Sequence, residues 1–186
     1  MKTICRIGVG GPVGSGKTAL IEELVPRLVQ RHLKVLVVTG DAVSTEDADH
    51  VRRALKGILA EDRIAGVPAA VRRDAVEDLE SRFPDTDVVL IENGAADFVV
   101  HVIDVAAGDR IPRKNGPGIS RSDILVVNKT DLAPYVDADL GVMAADAAVQ
   151  RGGKPVVFTN CRTGFGIPEL TERILEGALF DVGVRV

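Results

Sequence analysis

Residues 11–18 read Gly-Pro-Val-Gly-Ser-Gly-Lys-Thr and have the residue types and spacing of a phosphate-binding loop, G-x-x-x-x-G-K-[ST]. Its glycines let successive backbone N–H groups face one point, and a helix that begins near Gly16 adds the positive end of its dipole. The Lys17 ammonium would reach the β- and γ-phosphates, and the Thr18 hydroxyl would coordinate Mg²⁺. The expected cradle consists of Gly11, Pro12, Val13, Gly14, Ser15, Gly16, Lys17 and Thr18.

Two acidic residues, Asp41 and Glu92, follow runs of valine, leucine and isoleucine that are typical of buried parallel strands. Such strands place ligands at their carboxyl ends. We expect Glu92 to hold Mg²⁺ or a water of its shell. Asp41 is expected to hold the same ion or to orient the attacking water, with a turn residue as the alternative. For Glu46, a ligand of the metal shell and a first-turn helix acid are both open.

The sequence Asn128-Lys129-Thr130-Asp131 follows the apolar run 123–127 and matches the N-K-x-D signature of guanine recognition. The Asp131 carboxylate can accept both the N1 and the N2 proton of guanine, which adenine cannot supply together. The Lys129 stem would pack on the base while Asn128 braces the loop. The sequence therefore predicts GTP rather than ATP.

Further residues complete the predicted site. Another apolar run, 155–158, is followed by Thr159, Asn160 and Cys161, which are candidates for a second wall of the base pocket. The catalytic positions we predict are Lys17, Asp41 and Glu92, which would act mainly by neutralising and positioning the phosphates.

Apolar runs alternate with amphipathic helical patterns along the whole chain, which predicts an α/β architecture. Helices are expected over 19–29, 70–83, 140–151 and 167–175, and from a capping box at Ser44 to about Leu59, whereas 106–118 is expected to be a loop. With 186 residues and 46% hydrophobic content, the chain suits one domain over residues 1–186. We predict a single-domain P-loop NTPase with a mostly parallel central sheet of about seven strands flanked by helices.

Composition narrows the function classes. The net charge of -4 and the lack of a basic stripe with interleaved aromatics argue against a nucleic-acid binder. The sequence contains no signal-peptide pattern and no membrane-length apolar run, and its two cysteines have no metal-type spacing, so we expect a cytoplasmic protein with reduced thiols. Three basic residues lie close together in sequence: Arg110, Arg113 and Lys114. They could bind phosphate or an acidic partner, or they could simply be solvated surface charges.

Longer runs surround or accompany these motifs: residues 8–20, 102–106 (Val-Ile-Asp-Val-Ala), 111–114 (Ile-Pro-Arg-Lys) with 116–118 (Gly-Pro-Gly), and 128–136 (Asn-Lys-Thr-Asp-Leu-Ala-Pro-Tyr-Val). Together these runs resemble the UreG family of urease accessory GTPases. The resemblance covers almost the whole chain, and the last two runs are specific to that family rather than to GTPases at large.

The resemblance implies a GTPase that uses GTP and Mg²⁺ and delivers Ni²⁺ as cargo to apo-urease. It implies a nickel-bridged homodimer that works with UreF and UreH (also called UreD) after receiving nickel from UreE. No arginine finger can be assigned from the sequence, so we expect slow intrinsic GTP hydrolysis that assembly accelerates. The family's Mg²⁺ and switch positions correspond to Thr18, Asp41, Glu46 and Glu92.

Two segments are shorter than the family pattern. Members carry a Cys-Pro-His nickel motif before the third main helix, whereas this sequence runs from Gly66-Val67-Pro68-Ala69 directly into Ala70-Val71-Arg72, so the motif is not present. The family's loop after the Walker B region is likewise reduced to residues 92–97. Other potential soft ligands lie in positions that do not replace the motif: His32, His50, His101, Cys5 and Cys161. Two interpretations are open. Either the intact protein contains both loops in addition to these 186 residues, and its mass exceeds the 19.7 kDa of this sequence, or the deletions are real and the nickel ligands are lost.

Three alternatives to a nickel-delivering urease GTPase stay open. The first is a HypB-like hydrogenase-maturation nickel GTPase, against which the Pro-Arg-Lys and Leu-Ala-Pro-Tyr-Val stretches speak. The second is a GTP-gated scaffold that has no nickel site of its own. The third is a small-molecule kinase, which would need an acceptor for the phosphate.

Overall fold

A seven-stranded parallel sheet forms the centre of the computed structural model, which describes residues 4–41, 46–68 and 71–179. The strand order is β3-β2-β4-β1-β5-β6-β7, and every neighbouring pair is parallel. The predicted P-loop NTPase architecture is therefore confirmed. The strands are β1 Cys5–Gly10, β2 Val35–Asp41, β3 Ile64–Pro68, β4 Val88–Glu92, β5 Phe98–Asp104, β6 Ile124–Asn128 and β7 Val156–Phe158.

Helices cover both faces of this sheet. They are α1 Lys17–Gln30, α2 Glu46–Ala54, α3 Arg73–Arg82, α4 Ile111–Lys114, α5 Pro117–Arg121, α6 Leu140–Arg151 and α7 Ile167–Ile174, and a π-helical turn, Leu175–Leu179, continues α7. None of the helices in the described segments is long and apolar enough to span a bilayer.

The apolar residues form three clusters that hold these layers together. The largest lies on the face that carries α1, α2 and α7, and it includes Leu20, Leu24 and Leu170. On the opposite face, α3 packs over β2 and β4, whereas α5 and α6 pack over β5 and β6. Because the central strands are covered on both sides, they are almost continuously apolar rather than alternating.

Three predicted element boundaries were wrong. Helix α2 ends at Ala54 instead of Leu59, since the chain turns at Gly57 with a φ of 81°; the proposed cap at Ser44 lies outside the described residues. Helix α3 begins at Arg73, because Val71 instead bridges to Gly94. The predicted loop 106–118 contains α4 and the start of α5, each with proline in its first turn, where its fixed φ suits a helix.

The sheet brings the functional segments to one edge. The phosphate loop follows β1, Asp41 ends β2, Glu92 ends β4, and Asn128 ends β6. Because all strands are parallel, these carboxyl ends lie side by side, as predicted from the apolar runs.

Candidate nucleotide site

The phosphate loop has a backbone shape that glycine permits. Gly11, Gly14 and Gly16 have φ values of 149°, 79° and 95°. A Cβ atom on Gly11 would clash with the Val102 carbonyl oxygen, and one on Gly16 would clash with the Asn128 amide. Helix α1 begins directly after Gly16, so its free N–H groups face the loop and favour an anion there.

Lys17 lies across the loop that precedes it. Its side chain is largely buried, and its Nζ donates a hydrogen bond of 3.1 Å to the Pro12 carbonyl oxygen. The ammonium is therefore held against the phosphate loop by one of the loop's own carbonyl groups. A phosphate oxygen at this point would meet a cation that is already oriented.

Thr18 and Glu92 meet beside the cradle. Thr18 Oγ1 donates a hydrogen bond of 3.0 Å to Glu92 Oε1, and Glu92 is only 3% exposed. Strand pairing produces this contact, since Glu92 is in register with Val9, two residues before the loop. A hydroxyl and a carboxylate are hard oxygen donors of the kind that Mg²⁺ prefers, so these two residues fit that ion.

The other predicted metal-shell residues are placed only by their backbones. Asp41 is the last residue of β2, which neighbours β4, and Glu46 is the first residue of α2. Their side chains lie outside the described part of the structure, as do residues 42–45 between them. Their roles stay predictions.

A pocket of about 300 Å³ lies where the base signature predicts the guanine to bind. Asp131 is exposed at its mouth, and Lys129 is partly buried beside it. Sequence reasoning did not identify Ala19, Leu132 or Arg162 as lining residues, because their types carry no chemical signal. The pocket is lined by Gly16, Ala19, Asn128, Lys129, Asp131, Leu132, Asn160, Cys161 and Arg162.

Asn128 joins the base pocket to the phosphate loop. Its Nδ2 donates to the Ser15 carbonyl oxygen over 3.1 Å, and it is 1% exposed. Its Oδ1 accepts from Thr159 Oγ1 at 3.1 Å and from the backbone N–H and the thiol of Cys161, both at 3.4 Å. Thr159 is fully buried and lies behind Asn128, whereas Asn160 and Cys161 line the pocket.

The thiol of Cys161 is a hydrogen-bond donor in this arrangement. Burial, assisted by the nearby Glu23 carboxylate, raises the pKa of Cys161 to about 11, so the thiol stays protonated at neutral pH. Cys161 is the third residue of the polar run 159–161, which the sequence indicates as the second wall of the base pocket.

Histidine and cysteine side chains do not form a metal centre in the described segments. No group of three or more His, Cys, Asp or Glu residues there could hold a metal ion. His101 lies inside β5, half-buried, as expected for a packed strand histidine, and His32 is exposed. Burial lowers the pKa of His101, and the positive charges of Arg151 and Lys17 lower it further.

Comparison with known proteins agrees with this geometry. The family described as "CobW/HypB/UreG, nucleotide-binding domain" matches residues 5–97 and 93–158. Urease accessory protein UreG 2 of Methylorubrum populi is 56% identical over 205 positions, covering 98% of this chain and 95% of its own. Urease accessory protein UreG of Edwardsiella ictaluri is 55% identical over 203 positions, covering 97% of each chain.

The alignments also bear on the two short segments. The alignment with urease accessory protein UreG 2 of Methylorubrum extorquens runs over 208 positions and covers all 186 residues of this chain. That relative therefore has residues without a counterpart here, as expected if this chain has shorter loops than the family pattern.

Solved structures support the fold. The hydrogenase maturation factor HypB from Archaeoglobus fulgidus has a TM-score of 0.75 and 27% identity, covering 94% of this chain and 89% of its own. HypB from Helicobacter pylori in complex with nickel has a TM-score of 0.79 at 18% identity, covering 97% of this chain and 90% of its own, which shows similarity of fold alone. Given its phosphate loop, its base pocket and relatives at more than half identity, this chain belongs to the CobW/HypB/UreG family of nucleotide-binding proteins and, within it, to the urease accessory UreG proteins.

Proposed function

We propose that this protein binds and hydrolyses GTP with Mg²⁺ and that the nucleotide gates delivery of nickel to urease. The observation that carries the nucleotide part is the hydrogen bond from Asn128 Nδ2 to the Ser15 carbonyl oxygen. This contact supports the proposal because it joins the guanine signature to the phosphate loop. One nucleotide would then span both.

Each side chain has a distinct task in the proposed reaction. The cradle N–H groups and Lys17 neutralise the charge of the phosphates and hold them in line for attack by water. Thr18 and Glu92 would hold Mg²⁺, which would supply positive charge to offset the charge of the phosphates. Asp41, at the same edge of the sheet, would orient the water, and Glu46 would belong to the metal shell.

Base selection rests on Asp131. Its carboxylate, at the mouth of the pocket, would accept both guanine protons, and the Lys129 stem would cover one face of the ring. Adenine offers no matching pair of donors, so its binding would leave the carboxylate without partners. Discrimination against ATP is therefore expected to be large.

The urease part of the proposal rests on the relatives. Proteins with more than half of their residues identical to this chain are named urease accessory protein UreG. We accordingly propose nickel as cargo, apo-urease as recipient, and UreF, UreH (UreD) and UreE as partners of a cytoplasmic protein that dimerises with GTP and nickel. Slow hydrolysis, accelerated by assembly, belongs to the same proposal.

A second candidate function is a GTP-gated scaffold that carries no nickel. It is favoured by one specific observation, namely that the sequence has no Cys-Pro-His triplet, so the soft ligands that suit nickel are not grouped along the chain. In that case the nucleotide would control assembly of the accessory complex, and another protein would carry the metal.

The first experiment measures nucleotide binding and turnover. Titration with GTP and ATP, with and without Mg²⁺, should show a strong preference for GTP. Incubation with GTP should release free phosphate without any added phosphoryl acceptor. Lys17→Ala should abolish both, while Lys56→Ala, which changes an exposed turn lysine, should change neither. Equal affinity for ATP, or phosphate release only with an added acceptor, would contradict the GTPase proposal.

The second experiment separates nickel delivery from scaffolding. The protein is titrated with Ni²⁺ in the presence of GTP and Mg²⁺, and its mass in solution is followed by light scattering. About one nickel per two chains, with dimer formation, supports the metallochaperone. Retained GTP binding without nickel binding supports the scaffold, and co-purification with hydrogenase components would indicate a HypB-like role instead.

A further inference from the structure

Asp104 lies between the two halves of the nucleotide site. It is the last residue of β5, the strand that separates β1, which precedes the phosphate loop, from β6, which precedes the base signature. Its register partner on β6 is Asn128. The carboxylate is therefore placed at the carboxyl edge of the sheet, where the nucleotide would bind.

The orientation of this carboxylate is fixed by backbone groups. Asp104 Oδ1 accepts hydrogen bonds from the N–H groups of Ala106 at 2.8 Å and Ala107 at 3.2 Å. These bonds cap the short helical turn that follows β5. With Oδ1 engaged in this way, the second oxygen, Oδ2, is directed toward Lys129 and lies 3.4 Å from its Nζ.

Lys129 is held from two sides. Its Nζ also donates to the Gly14 carbonyl oxygen of the phosphate loop. Its backbone has a φ of 59°, a left-handed conformation that starts the turn carrying Asp131. The ammonium is thus anchored on one side by the phosphate loop and on the other by Asp104, and the Asp104 side chain is only 13% exposed.

We propose that Asp104 is a positioning residue for guanine binding, which it promotes by holding the Lys129 stem in the conformation that covers the base. This inference rests on the proposed function. A free lysine side chain has four rotatable bonds, and ordering them opposes ligand binding unless the side chain is ordered beforehand. The anion at Asp104 orders it in the empty protein, so the base meets a preformed wall.

The simpler explanation is that Asp104 only caps the turn after β5. Asp104→Asn separates the two roles, because the amide oxygen can still accept from Ala106 and Ala107 while the negative charge toward Lys129 is lost. The chain offers a matched control in Asp139, whose Oδ1 caps α6 by accepting from Gly141 at 2.7 Å and Val142 at 3.1 Å. Within the described residues Asp139 has no ion-pair partner, so Asp139→Asn removes only a capping charge.

The test compares affinities for GDP and for inorganic triphosphate. Asp104→Asn should raise the Kd for GDP about fivefold, as expected for loss of one partly buried ion pair. Its Kd for inorganic triphosphate should stay unchanged, because the cradle is intact and no base is present. In a Lys129→Met background, Asp104→Asn should have no further effect on GDP, and Asp139→Asn should leave both affinities unchanged.

Several results would overturn the inference. One is a GDP affinity of Asp104→Asn equal to that of the parent protein, and another is an equal loss for GDP and triphosphate. A loss that persists in the Lys129→Met background would also assign Asp104 a purely structural role. Failure of the parent protein itself to bind GDP would overturn the proposed function together with this inference, so the two failures are distinguishable.

Discussion

Thr18 Oγ1 donates a hydrogen bond of 3.0 Å to Glu92 Oε1 across a separation of 74 residues in sequence. The two side chains meet because β1 and β4 are adjacent and parallel, and the phosphate loop continues directly from the end of β1. A hydroxyl next to a nearly buried carboxylate forms a small oxygen-rich corner at the cradle. Its chemistry fits a hard divalent cation.

Glu92→Gln should impair turnover more than binding. The amide retains the size and an acceptor for Thr18, but it loses the charge that would hold the cation. We expect phosphate release at saturating GTP to fall on the order of 100-fold, as for removal of one electrostatic group from an active site. GDP affinity measured without Mg²⁺ should stay within about threefold. The exposed Glu176→Gln variant is the control, and full activity of Glu92→Gln would refute the assignment.

Asp131→Asn should change which base is accepted. The substitution replaces an acceptor by a donor, which suits the carbonyl at C2 of xanthine and not the amino group of guanine. We expect GTP affinity to fall by at least about 100-fold and xanthosine triphosphate to bind better than GTP. Competition titrations with both nucleotides test this, and Asp137→Asn, an exposed change nearby, should retain the preference for GTP. An unchanged preference in Asp131→Asn would place the base elsewhere.

Arg151 should contribute strongly to stability. It is 3% exposed at the end of α6, and its guanidinium donates to the Ile119 carbonyl, the Ser122 hydroxyl and carbonyl, and the Asp123 carbonyl. Arg151→Ala leaves these acceptors buried without donors, so the free energy of unfolding should fall by about 3 kcal/mol. Urea denaturation of the parent protein and of Arg151→Ala measures this difference in the free energy of unfolding. Arg173→Ala, which removes an exposed pair with Glu169, should cost less than about 0.5 kcal/mol, and equal effects would contradict the argument.

His101 should make the protein less stable in mild acid. Its pKa is lowered in the folded state by burial and by the charges of Arg151 and Lys17, so the unfolded chain takes up the proton first. The contribution of His101 to the free energy of unfolding is complete above its pKa in the unfolded chain, about 6.5. That contribution is lost as the pH falls from there through the lower pKa of His101 in the folded protein. Unfolding free energies at pH 7.5 and 5.5 should differ more in the parent protein than in His101→Gln. His32→Gln, an exposed change, should behave like the parent, and an identical pH dependence in all three would refute the prediction.

Most of the sheet could be predicted from the sequence. Each buried strand is a run of Val, Ile and Leu long enough to stand out, and α6 has the predicted bounds because Asp139 caps it and Gly152 ends it in a left-handed conformation. The errors fell where long-range contacts override local pattern. Val71 fits a helical periodicity but instead pairs with Gly94, and prolines fold part of the predicted loop into α4 and α5.

The local chemistry of this protein follows from short segments of its sequence, because the glycine-dependent cradle and the guanine signature each consist of a few consecutive residues. Which side chains contact one another depends instead on the folded arrangement: Thr18 with Glu92, Asn128 with Ser15, and Lys129 with Asp104. The physical reason is that the order of the strands in the sheet determines these side-chain contacts. Periodicity along a chain reports which side of an element is buried, whereas the neighbour of each strand depends on how helices far apart in sequence pack over the sheet.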